Sequence, residues 1–120
     1  MVNIPEFHKI VKKGWGHEKW IVNKAEYCGK ILFFHKDKRC SWHYHILKDE
    51  VFYVRSGKLL VKYSDKDDLA LAEEIILDVG ESFHVYRGLR HQMIALANTE
   101  LFEFSTEHFD SDSHRIIKGD

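Results

Sequence analysis

"SWHYHILKDEVFYVRSG", residues 41–57, places two histidines one residue apart, then a glutamate, then a glycine. Its aromatic and β-branched residues alternate with polar ones at period 2, which reads as strand rather than helix. On a strand, His43 and His45 point to one face while Trp42 and Tyr44 point to the other. "ILKD" then reads as a turn, after which Glu50 opens the next strand beside His45 across a hairpin. Gly57 closes that strand with a sharp turn. Two imidazoles and a carboxylate on one face of one hairpin can bind a divalent cation. The His-x-His pair by itself is weak, because nine histidines in 120 residues supply roughly two-thirds of one such pair by chance. The arrangement around it carries the reading.

Outward from this stretch, the chain is a succession of short segments rich in Val, Ile, Phe, Tyr and Leu, separated by turn signals. Strands are expected at 19–22, 28–34, 40–45, 50–56, 58–63, 73–78, 82–86, 91–97 and 101–106. "DKDDLALAEE" hints at helix and reads equally well as a long hairpin loop. Eight or nine strands at this spacing predict an all-β jelly-roll barrel or sandwich. With one proline, no linker-like stretch and no internal repeat, residues 1–120 are expected to form a single domain.

Composition narrows the function classes. Hydrophobic residues make up 44% of the chain, with eight Phe, five Tyr and three Trp, enough for a packed interior. The net charge is -1 with no charge block, which argues against a nucleic-acid partner or a polybasic membrane anchor. The first twenty residues lack an uninterrupted apolar run, so neither a signal peptide nor a membrane span is expected. The expectation is a soluble, cytoplasmic protein. Cys28 and Cys40 flank a strand and the turn at residues 36–39. If that turn makes a hairpin, Cys40 lies away from Cys28, and both thiols stay free.

A third imidazole is available in "DVGESFHVYRGLRH", where Gly80 and Gly88 mark turns and His91 starts a strand. If the sheet closes on itself, that strand could face the first hairpin. His84 is expected to pack or face solvent, and His8, His17 and His35 to lie on the surface.

These residues resemble the two sequence motifs of the cupin superfamily. The first motif runs Gly, five residues, His-x-His, three or four residues, Glu, six residues, Gly. It is matched by His43, His45, Glu50 and Gly57, with Asp37 in place of the leading glycine, a turn residue that tolerates similar geometry. The second is matched by Gly80, Gly88 and His91, with Tyr86 and Ala95 in place of its proline and asparagine. The resemblance implies a small jelly-roll barrel, the double-stranded β-helix, with His43, His45, Glu50 and His91 as metal ligands. "GWGHEKWIVNKAEYCGKILFF" and "LFEFSTEHFDSDSHRIIKGD" resemble the flanks of sugar-phosphate-isomerase-like cupins of the phosphomannose isomerase type. That implies isomerisation or binding of a sugar or sugar phosphate as small-molecule substrate, and a homodimer.

Three imidazoles and a carboxylate leave two positions open on an octahedral ion and suit Zn, Mn, Fe, Ni or Co. Open positions permit Lewis-acid catalysis, and equally dioxygen chemistry on a small organic substrate or ligand binding without turnover. An isomerase also needs a base and a cation for any phosphate. Glu103, between two phenylalanines, is a candidate base or else the solvent side of an edge strand, and His108 is a second candidate. Arg87 and Arg90 flank the His91 turn and could meet an anionic substrate at the barrel mouth, or equally be solvated surface residues. Lys30 alternates in phase with Cys28 and Leu32 and could project into the barrel or be an exposed strand lysine. Tyr53 is out of phase with Glu50 and is expected outside. Trp15, Trp20, Trp42 and Tyr44 are expected to face outward and to be covered in the homodimer.

Overall fold

Along "CGKILFF" every second residue is buried, and "EVFYVRS" does the same over its first five residues, the pattern of strands with one face on a core. In the computed structural model, which describes residues 9–120, this alternation builds eleven strands. In chain order they are β1 (Lys9–Lys13), β2 (Gly16–Asn23), β3 (Cys28–Phe34), β4 (Trp42–Tyr44), β5 (Glu50–Ser56) and β6 (Leu59–Ser64). There follow β7 (Glu73–Leu77), β8 (Ser82–Val85), β9 (Arg90–Ala95), β10 (Thr99–Ser105) and β11 (His114–Ile117). They form two antiparallel sheets, ordered β1-β2-β3-β10-β5-β8 and β11-β4-β9-β6-β7. This is the expected all-β jelly roll. No described helix is long and apolar enough to cross a membrane.

Between the sheets, Phe34, Val54, Leu59, Val61, Leu77 and Leu101 are almost wholly excluded from solvent and form the core. Two turn positions need left-handed backbone. Gly57 has φ 93°, and a Cβ there would stand 2.3 Å from the Asn98 carbonyl oxygen, so only glycine fits. Asp37, in place of the motif's leading glycine, has φ 71°.

Several expectations need correction. The charged segment β1 and the terminal segment β11 form strands, and each is satisfied by pairing, with β2 and β4 respectively. The stretch 65–72 is a loop holding one short 3-10 turn, Leu69–Leu71, capped by the Asp68 side chain. β4 and β5 do not form a hairpin. They belong to opposite sheets, because the turn between them crosses from one layer to the other. The same is true of β8 and β9. The segment after β3 likewise crosses over, with Cys40 N–H donating to the Met93 carbonyl. Cys28 and Cys40 are both free and buried, but the reason is this crossing, not a hairpin.

The tryptophans are not outward. Trp42 is fully buried, with Nε1 donating to the Asp67 carbonyl at 2.7 Å, and Trp15 stacks on Phe34 at 4.0 Å between centroids. Trp20 is buried and lines the interior cavity. Alternation shows which residues share a face, not which face is covered. Tyr53 does lie outside, stacked on Phe102. His8 lies outside the described residues.

Candidate functional site

The three motif histidines converge from one sheet. His43 on β4 lies directly opposite His91 on β9 in the antiparallel register, and His45 follows β4 at the start of the crossing turn. One ligand nitrogen from each falls within 4.8 Å of the others. Their orientation is fixed from behind. His43 Nδ1 faces the Ser41 carbonyl at 2.8 Å, His45 Nδ1 the Asp112 carbonyl at 3.1 Å, and His91 Nδ1 the Leu89 carbonyl at 3.0 Å. A carbonyl only accepts, so each Nδ1 carries the proton and each Nε2 keeps its lone pair. Burial, together with the neighbouring imidazoles, lowers His43 well below the ordinary histidine range. Burial likewise lowers His45 to about 4, so both rings are neutral at pH 7.

Glu50 arrives from the opposite sheet. Its Oε1 stands 3.2 Å from His91 Nε2 and 3.6 Å from His45 Nε2, although neither contact satisfies it as a hydrogen bond. Burial alone would raise this carboxyl; the Lys48 ammonium beside it holds it well below its usual range. Lys48 Nζ is 2.9 Å from Glu50 Oε2, an ion-pair distance without hydrogen-bond alignment. It also donates to Glu103 Oε2 at 3.1 Å and to His108 Nδ1 at 3.0 Å. Burial would lower the Lys48 ammonium, but Glu103 and Glu50 raise it, so it stays charged. Lys48 sits in the turn that the sequence reading passed over as "ILKD". No motif signal marks it, since a turn lysine is ordinarily a solvated residue.

That turn is held by Asp112, a second residue with no signal in the sequence. Its carboxylate accepts from the main-chain N–H groups of Ile46, Leu47 and Lys48 at 2.9–3.2 Å. Burial opposes its charge, and these donors lower its pKa.

His43, His45, Glu50 and Lys48 border a cavity of about 570 Å³, which residues of the C-terminal segment such as Ser113, Arg115 and Lys118 also line. Lys30 and Glu103, neighbours across β3 and β10, both face it and are buried. The exposed-lysine alternative for Lys30 and the edge-strand alternative for Glu103 are therefore excluded. β10 lies in the middle of its sheet. Lys30 Nζ lies 4.0 Å from the centre of the Trp20 ring and 3.6 Å from Glu18 Oε1, which itself accepts from Trp20 Nε1 at 2.9 Å. Both ring nitrogens of His108 are engaged, Nδ1 by Lys48 and Nε2 by Asp110 at 3.0 Å. Burial and the lysines lower its pKa.

Arg87 and Arg90 do not line this cavity. Arg87 Nε donates to the Leu47 carbonyl, and Arg90 stacks on Tyr44 and donates to Asp67. The crossing of β8 to β9 carries them to the outside. The exposed cations on the cavity are instead Lys9, Arg115 and Lys118. His84 is an exposed partner of Asp49, while His17 and His35 flank Phe33 outside.

The donor set fits a divalent ion on the molecule's own terms. Glu50 Oε1, Glu50 Oε2 and His91 Nε2 are buried with no hydrogen-bond partner among the described residues. Buried polar atoms are ordinarily satisfied, so a cluster of orphans aimed at one point is what an ion would complete. Cys40, also on the cavity, has its thiol pushed up to about 12 by burial and is not a competing thiolate.

Residues 31–104 match the family described as the cupin domain. No curated protein sequence matches the chain. Among solved structures, the fold is similar to that of CapF, a capsular polysaccharide assembling protein from Staphylococcus aureus. The TM-score is 0.77 at 16% identity, covering 90% of this chain and 34% of CapF. This chain therefore spans about a third of that protein. It is similar along nearly full length to KdgF from Halomonas sp., with TM-score 0.74, 17% identity and coverage of 87% and 90%. An RmlC-like cupin from Shewanella frigidimarina gives TM-score 0.73 at 19% identity, with coverage of 91% and 92%. At these identities the likeness is one of fold.

The anchoring of the crossing turn is directly testable. Replacing Asp112 by Ala leaves three main-chain donors without their acceptor and should cost about 2–4 kcal/mol of unfolding free energy. Urea denaturation at pH 7 measures it, and a loss below about 0.5 kcal/mol, the level of an ordinary surface change, contradicts the role.

Proposed function

The chain belongs to the cupin family, and from that premise we propose a metal-binding cupin that takes a small sugar or sugar-like molecule in its cavity. His43, His45, Glu50 and His91 are the ligands in this reading. The observation that carries it is the convergence of one ring nitrogen from each of three histidines, with Glu50 Oε1 beside two of them and each Nδ1 tied to a main-chain carbonyl. Neutral imidazoles with one carboxylate suit Zn, Mn, Fe, Ni or Co. A divalent ion held there would polarise a ligand carbonyl or hydroxyl as a Lewis acid.

The surrounding residues support an isomerase-like use of the site. Lys48 stands 2.9 Å from Glu50 and 3.1 Å from Glu103, an ammonium between two buried carboxyl groups. The Lys48 and Ser105 contacts to Glu103 both go to Oε2, which leaves Oε1 to take a proton from a bound ligand. His108, with both nitrogens engaged, holds Lys48 in place instead of moving a ligand proton. A cavity of about 570 Å³ lies in the range that small ligands occupy. Two free thiols suit a reducing, cytoplasmic setting.

A homodimer also belongs to this reading, on a different surface from the tryptophans. The outer face of the six-stranded sheet presents Phe104, Phe102, Tyr53 and Val51 side by side on β10 and β5, with Phe104 57% exposed. That face is the apolar surface a second copy would cover.

Metal content decides the first part. Protein purified without chelator should carry about one divalent ion per chain, and His45→Ala should lose most of it while His84→Ala keeps it. Unchanged stoichiometry in His45→Ala contradicts the ligand assignment. Oxygen uptake by iron-loaded protein, with no response to any sugar, contradicts the isomerase-like part. For the dimer, Phe104→Glu should convert the species seen by light scattering to monomer, and an unaltered dimer would place the interface elsewhere.

A further inference from the structure

Lys30 is a buried lysine that faces the cavity and makes no hydrogen bond to another described residue. Its side chain is 1% exposed, and no acceptor among the described residues lies within hydrogen-bond reach of its ammonium. Glu18 Oε1 stands 3.6 Å away, close enough to attract but too far to accept. The ring of Trp20 covers another side at 4.0 Å. Glu18 is itself fixed by Trp20 Nε1 and is lowered in pKa, against burial, by Lys30 and that hydrogen bond. Across the sheet, Glu103 is the neighbour of Lys30 on β10, but its carboxylate is turned to Lys48. An ammonium with unused donors thus faces the cavity between two carboxylates, each held by other partners.

We infer that Lys30 and Glu18 form a hydroxyl-binding subsite, which takes an uncharged polyol group of the ligand and not its phosphate or carboxylate. The inference rests on the cavity being the ligand site proposed above. A hydroxyl both accepts and donates, so one hydroxyl can accept from Lys30 and donate to Glu18, closing the gap the protein leaves. An anionic group can only accept. It would gain Lys30 and at the same time bring its charge against Glu18 and Glu103, in a site where charges are poorly screened. A carboxylate also discriminates, since without a donor from the ligand it is left unpaired when water is displaced.

Calorimetric titration of the metal-loaded full chain with D-mannose, D-fructose and their 6-phosphates tests this. The neutral sugar should bind the wild-type chain at least as tightly as its phosphate. Lys30→Met and Glu18→Gln should each raise its Kd by about tenfold or more. The double variant should lose little beyond either single one, because the bridging hydroxyl needs both partners. Lys30→Arg, which restores the charge and donors, should recover part of the affinity. Circular dichroism and metal content, both expected unchanged in these variants, separate loss of the subsite from loss of the fold or the ion. Wild-type binding that is unaltered in Lys30→Met and Glu18→Gln overturns the subsite alone. A 6-phosphate that binds about tenfold tighter, with the preference lost in Lys30→Met, overturns it in favour of an anion anchor. No binding of any of the four probes to the metal-loaded wild type overturns both the subsite and the sugar reading.

Discussion

The site depends on three hydrogen bonds that point away from it. By donating Nδ1–H to the carbonyls of Ser41, Asp112 and Leu89, the three imidazoles are fixed in tautomer and in direction. Had any Nδ1 faced a donor, the ring would present an N–H to the centre and could not ligate. Two of the carbonyls lie two residues before the histidines they hold, so strand geometry supplies them locally. The third belongs to Asp112, far along the chain, and its carboxylate also holds the turn that carries Lys48. One residue thus sets a ligand's orientation and the charge balance beside it.

That balance matters because the cavity floor is crowded with buried charge. Glu50 and Glu103 share Lys48, and Lys48 leans on His108, whose other nitrogen reaches Asp110 at the surface. Buried ion groups of this kind contribute little net stability, yet removing one partner costs about 3–5 kcal/mol because the rest is left unpaired. What such a cluster does is fix side chains in place, here the Glu50 and Glu103 carboxyl groups on either side of Lys48. Lys30, by contrast, makes no hydrogen bond to another described residue, which is why the hydroxyl subsite is proposed there.

The sequence made the converging histidines legible, but not the route by which they assemble. Alternation put His43 and His45 on one face, and motif spacing added Glu50 and His91. Strand pairing is not encoded at that range. β4 and β5 look like a hairpin because only four residues separate His45 from Glu50, yet the turn crosses between sheets. The crossing turn is held by the Asp112 carboxylate, more than sixty residues away, which no local pattern reveals. Trp20 failed for a related reason: alternation cannot say which face is covered, and the β2 segment has a cavity on its inner side. Arg87 and Arg90 failed because proximity to His91 in sequence is undone by the next crossing.

X-ray absorption of the protein loaded with one equivalent of zinc tests the central claim most directly. The account predicts a shell of nitrogen and oxygen only, at about 2.0–2.2 Å, with the scattering pattern of three imidazoles. A sulfur ligand, or fewer than three imidazoles, would contradict it.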